Sequence, residues 1–490
     1  MSTQKKLTRP SDDPIVAIRA LRLRTSVSEL TQYKDRNAKD AEAWLSVTED
    51  ALSTASSIIG GGNGLIKQMQ KAANKDLTPT DINILMSQIK SLRDEVYATA
   101  NVDYAGRYIF TGYRTDTPLS FTKDVLTQNL NYEITEQLNL NAFDQINYTD
   151  LDILANLSKS NYGDFTGGNE ITEQLIENVN IWRLRLAYDE IWDANGSVVL
   201  SLGPLGNHPI NAVSASAVPD PYQMIKAWNE VPQGGAIFIP ETGEILFTNE
   251  TYEQIRGLGP AMEIRVTYHK NNWKEGDLRP EHYFACISTE VKEDGTTKTI
   301  NYNPEYLTGV GNRQIIEYDV GYNQRIRINT LAEDVFQHTL KRNVDDLDKA
   351  VQQLLEIQRI VDDMRGVIGG MNEGDADYVM VQKQLDAAVK AYDFIRDNVH
   401  RMFEDSITIM QRALDDINVA VTDSGTRSAR LDLISNRLLS QKTTFEILRS
   451  ENEDIDIAEV AIKLTSTELS YNAALMATGK IMQTSLMNYI

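Results

Sequence analysis

A 490-residue chain with 70 acidic and 48 basic side chains has a formal charge of −22. This argues against nucleic acid as a partner, because phosphate binding needs a clustered basic surface. The length accommodates two or more domains, and the single cysteine, Cys286, leaves no disulfide framework and no cysteine-based zinc site. The amino terminus, MSTQKKLTRPSDDP, lacks the apolar run of a signal peptide, so secretion by the general route is not expected.

Ser11 ahead of Asp12, Asp13 and Pro14 predicts a helix start: an oxygen cap, acids in the first turn, and a proline where its missing N–H is harmless. Val16, Ala20, Leu23, Val27, Leu30, Trp44 and Leu52 then keep a heptad-like register to Ile59, longer than an ordinary globular helix. Gly60, Gly61, Gly62 and Gly64 interrupt it as a loop or kink. They do not form a phosphate loop, since no strand precedes them and no Lys-Ser/Thr follows. Thr78 or Thr80 restarts a helix through Ile82, Leu85, Ile89, Leu92 and Val96.

After Asn101 the period changes. Residues 106–121 predict a short hairpin whose strands hold Tyr108, Ile109 and Phe110, with Gly112 in the connection. Residues 122–328 are strand-rich. The strongest hairpin there runs over 181–191, turns at Asn195-Gly196 and returns over 197–202, because Asn-Gly supplies positive φ at both turn positions. Strands at 236–239 and 244–247 bracket a Glu241-Thr242-Gly243 turn, and 262–268, 283–291 and 297–302 follow in the same style. Cys286 reads as a buried strand residue. His269 and His282 could meet across a hairpin, but no third ligand stands at metal spacing.

The helical period returns at Thr330. Val344, Leu347, Val351, Leu354 and Val361 form one stripe, and Gly369, Gly370 and Gly374 mark a turn. Val381, Leu385, Ala388, Tyr392, Ile395, Val399 and Met402 form a second stripe. Leu431, Ile434, Leu438, Phe445 and Leu448 form a third, after Gly425. The acid pairs Asp345-Asp346, Asp362-Asp363 and Asp415-Asp416 read as solvated helix faces. Asp375 and Asp377 read as a solvated turn, because a calcium loop would need a bidentate glutamate that is missing at the required distance.

Residues 451–490 carry two adjacent apolar stripes at helical spacing. One holds Ile457, Ala461, Leu464, Tyr471, Leu475 and Met482; the other holds Ile455, Ile462, Leu469, Met476, Leu486 and Ile490. One stripe suits a surface helix, whereas two suit a helix wedged between neighbours. Asn472, Thr478, Gln483, Thr484, Ser485 and Asn488 make the segment too polar to cross a membrane. Ile457, Ala461, Leu464, Leu469, Leu475, Met476, Met482, Leu486 and Ile490 are therefore the candidate assembly interface. The segment is expected to be frayed in the free monomer and to fold on assembly.

The fold class that follows is mainly α with an inserted β domain: an elongated rod of antiparallel, coiled-coil-like helices formed by both chain ends, plus a β-rich centre. The expected divisions are 1–121 (rod helices and hairpin), 122–328 (β-rich outer domain), 329–450 (carboxy-terminal rod helices) and 451–490 (terminal assembly helix). HExxH, GxSxG and the P-loop lysine motif are all missing, so no enzyme, cofactor or metal site is expected. Trp182, Trp192, Trp228 and Trp273 suggest a glycan-binding or adhesive module in the β region, although strand aromatics are more often core.

Three stretches together resemble the flagellin superfamily: KKLTRPSDDPIVAIRALRLR at 5–24, NVDYAGRYIFTGYRTDTPLSF at 101–121, and residues 429–490 nearly throughout. Pro14 and Ile15 follow the paired aspartates where filament flagellins usually carry alanine-glycine. With RYIFTG, this resembles the hook–filament junction members more than the filament subunits. The resemblance implies an extracellular structural subunit of the bacterial flagellum, exported through the flagellar type III system and self-assembling in a ring between hook and filament. The partners it implies are copies of itself, another hook-associated protein, flagellin and a flagellar export chaperone, with no nucleic acid and no membrane insertion. A filament flagellin-like subunit is the alternative within the superfamily. The resemblance also implies a further helical segment ahead of residue 5, so that a chain starting at Met1-Ser2-Thr3 is read as truncated there or as lacking that helix.

Overall fold

A computed structural model of the chain describes residues 5–6, 11, 13–123, 130–166, 170–191, 198–203, 206–230, 234–259, 262–291, 295–308 and 314–487. The fold is mainly α with a β-sheet centre. Helix α1 (Pro14–Gln32) passes through a π-helical stretch, Tyr33–Ala38, into α2 (Lys39–Gly60). Asp13 rather than Ser11 is the cap: its carboxylate accepts the backbone N–H groups of Ile15 and Val16 at 3.0 and 3.1 Å, and Pro14 takes the first helical position. The glycine run forms the corner into α3 (Leu65–Ala72), where a Cβ on Gly64 would lie 2.5 Å from the Ile58 carbonyl oxygen. Helix α4 (Pro79–Ala100) opens on a capping box between Thr78 and Asp81.

The hairpin expected over 106–121 with Gly112 in its connection does not form; β1 (Asp103–Tyr104) and β2 (Arg107–Tyr108) pair instead, joined by Ala105 and Gly106 at φ 53° and 76°. Ile109 and Phe110 leave the strand and are buried, so burial and not pairing explains their apolar character. The next elements are β3 (Leu130–Leu138), β4 (Phe143–Thr149), α5 (Asp152–Ala155), β5 (Asn178–Arg185), β6 (Val199–Ser201), β7 (Asn207–Pro209), β8 (Asn211–Ala212) and α6 (Pro221–Glu230). They lead into β9 (Ala236–Ile239), β10 (Glu244–Phe247), α7 (Asn249–Arg256), β11 (Ile264–Lys270), β12 (Ala285–Val291) and β13 (Thr297–Tyr302). The hairpin of β14 (Glu317–Gly321) and β15 (Gln324–Arg327) precedes α8 (Ala332–Val335), α9 (His338–Ile368), α10 (Tyr378–Glu453) and α11 (Ile457–Met487).

Two sheets result. One is antiparallel, in the order β13-β12-β3-β11-β6-β7; the other runs β4-β5-β10-β9-β8, with only β8 and β9 parallel. The turn at Glu241-Thr242-Gly243 joins β9 to β10 as expected. The 181–202 hairpin does not form, because β5 pairs with β4 and β10 whereas β6 pairs with β11 and β7. Asn195-Gly196 lies outside the described residues. The physical reason lies in the interior: Leu184 and Leu186 enter one apolar core from the β5 side and Leu200 enters it from β6, so burial assigns each segment to its own sheet. The five-stranded sheet is also covered on its second face, where Ile225 of α6 meets Ile181, Ile237, Ile239 and Leu246. His269 and His282 are not neighbours, since β11 and β12 lie on opposite sides of β3.

The chain divides into two compact units: residues 1–45, 317–328 and 426–490, and residues 46–316 and 329–425; α2 and α10 contribute to both. In the first, α1 runs antiparallel to the end of α10, with Asn452 Nδ2 on the Val16 carbonyl at 3.2 Å and Lys442 Nζ on Asp35 at 2.6 Å. The β14–β15 hairpin rests on the π-helical stretch through Asn37 Nδ2 on the Asp319 carbonyl, 2.7 Å, and Tyr318 on Asp40. In the second unit, α4 and α9 are tied by Lys90–Asp348 and Arg93–Asp345.

The Asp345-Asp346 pair is not a solvated face. Asp346 is buried against Arg183 and Arg185, while Arg183 also holds Glu244 at 2.6 Å and Asp144 at 2.5 Å. Burial alone would raise Asp346, but Arg185, Arg183 and Arg342 outweigh it and hold the carboxyl at about 2. Helix α10 does not break at Gly425. One helical glycine costs about 1 kcal/mol relative to alanine, less than the burial of Leu431, Ile434 and Leu438 beyond it returns.

Candidate assembly surface

Helix α11 mixes good helix formers with β-branched and hydroxyl residues, and its Thr465, Thr467 and Thr478 hydroxyls donate to the carbonyls of Ala461, Lys463 and Ala474. Asp456 caps it, accepting the N–H groups of Ala458 and Glu459 at 2.9 and 3.3 Å. Residues 457–487 are helical, the form that the sequence reading expects the segment to take on assembly.

Every residue from 461 to 482 is exposed. At 100° per residue, Ile457, Ala461, Leu464, Leu475 and Met482 share one face, while Leu469 and Met476 share a face roughly 100° around. The large side chains among them are 46% to 73% exposed. The backbone of Leu486 belongs to the same helix, and Ile490 lies outside the described residues. Ile481, 67% exposed, adds an apolar position that neither stripe predicted.

Sequence reasoning also missed Ile15, Ile18 and Leu21 on α1, all more than half exposed. Their three-residue spacing, on the phase opposite Val16 and Val27, was the available signal. Patches this apolar on a soluble surface mark contact sites.

Helix α10 ends, and α11 begins, at an ionic joint. Arg24 grips Glu453 with two hydrogen bonds of 2.6 and 2.7 Å. Lys5 Nζ reaches Asp454 at 2.6 Å and Glu453 at 3.3 Å. The Arg24 hydrogen bond, aided by Lys5, holds the Glu453 carboxyl below the usual carboxylate range despite some burial.

The other candidates resolve into structure. Trp182 stacks on Tyr252, Trp273 packs on Phe121, Tyr132 and Tyr188, and Trp228 packs on the core beneath α6, so these three are half-buried aromatics at the edges of the cores; Trp192 lies outside the described residues. Cys286 is buried on β12, and burial pushes its thiol well up. His282 is buried, its Nε2 facing the Pro118 carbonyl at 3.2 Å, and desolvation lowers it to about 4. Among the described residues no three His, Cys, Asp or Glu side chains converge as a metal site, and no helix is long and apolar enough to cross a membrane.

Residues 1–115 match the family model described as the bacterial flagellin N-terminal helical region. The amino-terminal region is flagellin-like. Flagellar hook-associated protein 3 of Escherichia coli is 35% identical over 118 residues, and that of Salmonella typhimurium 33% over 124. Each match takes in 24% of this chain and 36% of the relative, so the chain spans about a third of the length of the curated relatives it matches. A solved structure of flagellar hook associated protein-3 from Legionella pneumophila is 14% identical, covering 87% of this chain and 98% of its own, with a TM-score of 0.29.

Proposed function

We propose that this flagellin-like chain is a structural, non-enzymatic subunit of the bacterial flagellum, joining hook to filament by helix-mediated polymerisation. The observation that carries the reading is α11: a 31-residue helix on which the large apolar side chains of both faces, among the described residues, are 46% to 73% exposed. Burying such faces requires neighbours, and full burial of each large side chain is worth about 1.5–3 kcal/mol. Ile457, Ala461, Leu464, Leu469, Leu475, Met476, Met482, Leu486 and Ile490 form the interface in this reading. The partners are copies of the chain in a ring, another hook-associated protein on the hook side and flagellin on the filament side.

The subunit acts outside the cell. It travels through the flagellar export route, with a chaperone covering residues 451–490 beforehand, because an exposed apolar helix at cytoplasmic concentrations would associate unspecifically. Deleting 451–490 tests the reading. Lost motility with flagellin shed into the medium is the expected result; intact filaments would overturn it. Filaments formed by the purified full-length protein alone would instead make it a filament subunit.

A further inference from the structure

Helices α3 and α4 border a surface groove of about 520 Å³ whose lining includes Lys67, Lys71, Leu77, Asp81, Ile84 and Leu85. Its apolar part is uncovered: Ile84 is 56% exposed, and Leu77 and Leu85 are half-buried. Lys67 and Lys71 stand one turn apart on α3, both exposed. In a chain of formal charge −22, neither forms an ion pair among the described residues; Lys67 Nζ donates to Gln70 Oε1 and Lys71 Nζ to Gln68 Oε1, both at 3.3 Å. Asp81 does not neutralise them, because its carboxylate accepts the Thr78 hydroxyl at 2.6 Å and the Thr78 N–H at 3.3 Å. An apolar groove flanked by two such cations suits a helix that offers an apolar side chain with carboxylates beside it.

The chain carries a helix of that description. On α10, Val419 is 68% exposed and follows the exposed pair Asp415 and Asp416 by one turn, so the three share a face. Negative charge is in excess there: partial burial, then repulsion from Asp415 and Asp334, raises the Asp416 carboxyl above the usual carboxylate range. Val379 is also exposed on α10, but it is the second residue of the helix and has no helical turn of acids ahead of it. The groove and the Val419 stripe both belong to the second compact unit.

We propose that the α3–α4 groove of one subunit receives Val419 of a second copy, with Lys67 and Lys71 facing that copy's Asp415 and Asp416. The two patches differ, so each copy gives its groove to one neighbour and its α10 stripe to another. Repetition of such a contact builds a ring or a helical array and not a closed pair. Exposed ion pairs are weak and screened by salt, so the contact selects which surfaces meet once α11 has gathered the copies. The inference rests on the assembly reading of α11 and adds to it a contact on another part of the chain.

The test is disulfide cross-linking of the purified full-length chain bound to isolated hook–basal bodies. Copies carrying Ile84→Cys are mixed with copies carrying Val419→Cys and mildly oxidised; Cys286 is buried and does not compete. The expected yield of cross-linked pairs is at least tenfold above that of a control mixture of Ile84→Cys and Val379→Cys. Lys67→Glu with Lys71→Glu in the first copy should lower the yield at least tenfold, and Asp415→Lys with Asp416→Lys in the second should restore it. All the substituted side chains are exposed, so the fold is retained. Equal yields from the control mixture, or no restoration by the reciprocal charge change, would overturn the contact. Cross-links among Ile84→Cys copies alone would make the contact two-fold and overturn it as well. Binding to the hooks without a mixed cross-link sinks the groove contact alone, whereas an unsubstituted chain that does not bind them sinks the junction reading and the contact with it.

Discussion

If α11 is an assembly helix without internal partners, making it polar should leave the monomer intact and abolish attachment. The perturbation is the fourfold variant Leu469→Gln, Leu475→Gln, Met476→Gln and Met482→Gln, chosen because glutamine matches leucine and methionine in helix propensity. The four side chains are 52% to 73% exposed in the chain by itself. Scaling the value of full burial by that fraction gives about 1–2 kcal/mol each on assembly, hence about 4–8 kcal/mol together. The association constant should fall by about 10³ to 10⁶. Folding stability should change by no more than about 0.5 kcal/mol, as for exposed substitutions generally.

Two assays separate these effects: urea denaturation of the monomer, and titration of purified protein onto isolated hook–basal bodies. Attachment at wild-type affinity would refute the interface. A monomer weakened by several kcal/mol would refute the claim that these faces are uncovered in it.

Three further outcomes follow from the second unit. Glu136 is buried, and although it accepts bonds from Tyr268 and from the Ala187 N–H at 2.9 Å, desolvation raises its carboxyl from 4.5 to about 7. Between those values the folded state keeps a proton that the unfolded state has lost, so stability should fall as pH rises from 4.5 to about 7. The fall is about 3 kcal/mol in all. Glu136→Gln should remove that slope in pH-dependent denaturation, and an unaltered slope would count against the assignment. Asp346→Ala takes from the buried Arg185 its carboxylate partner, while Arg183 keeps Glu244 and Asp144, and should cost about 3–5 kcal/mol by chemical denaturation. Gly243→Ala puts a methyl group against the Tyr188 carbonyl at φ 64°. It should destabilise by about 1–3 kcal/mol, and a neutral result would mean that the turn relaxes.

The periodic helices were legible because their signal is local. Val344, Leu347, Val351 and Leu354 repeat at the helical period and are buried together on α9. The β9–β10 hairpin was legible for the same reason, since Gly243 and its flanking strands specify each other within a dozen residues. Strand partnership beyond adjacent segments was not legible. Asn195-Gly196 is a strong local turn signal, yet β5 and β6 are drawn into different sheets by a core that takes residues from 121 to 286. Charge burial was equally hidden: Asp346 looks like half of a solvated pair until Arg183, 163 positions away, is folded onto it.

For the candidate surface, the sequence by itself determined the two apolar stripes of residues 457–482, because helical phase is fixed by spacing alone and needs no knowledge of neighbours. The start of that helix is likewise local, since Asp456 caps it. Only the tertiary structure decided what stands beside that start: Arg24 holds Glu453 from 429 positions away and Lys5 holds Asp454 from 449. Contacts at such separations leave no periodic trace in the chain, so they became visible only once the ends were brought together.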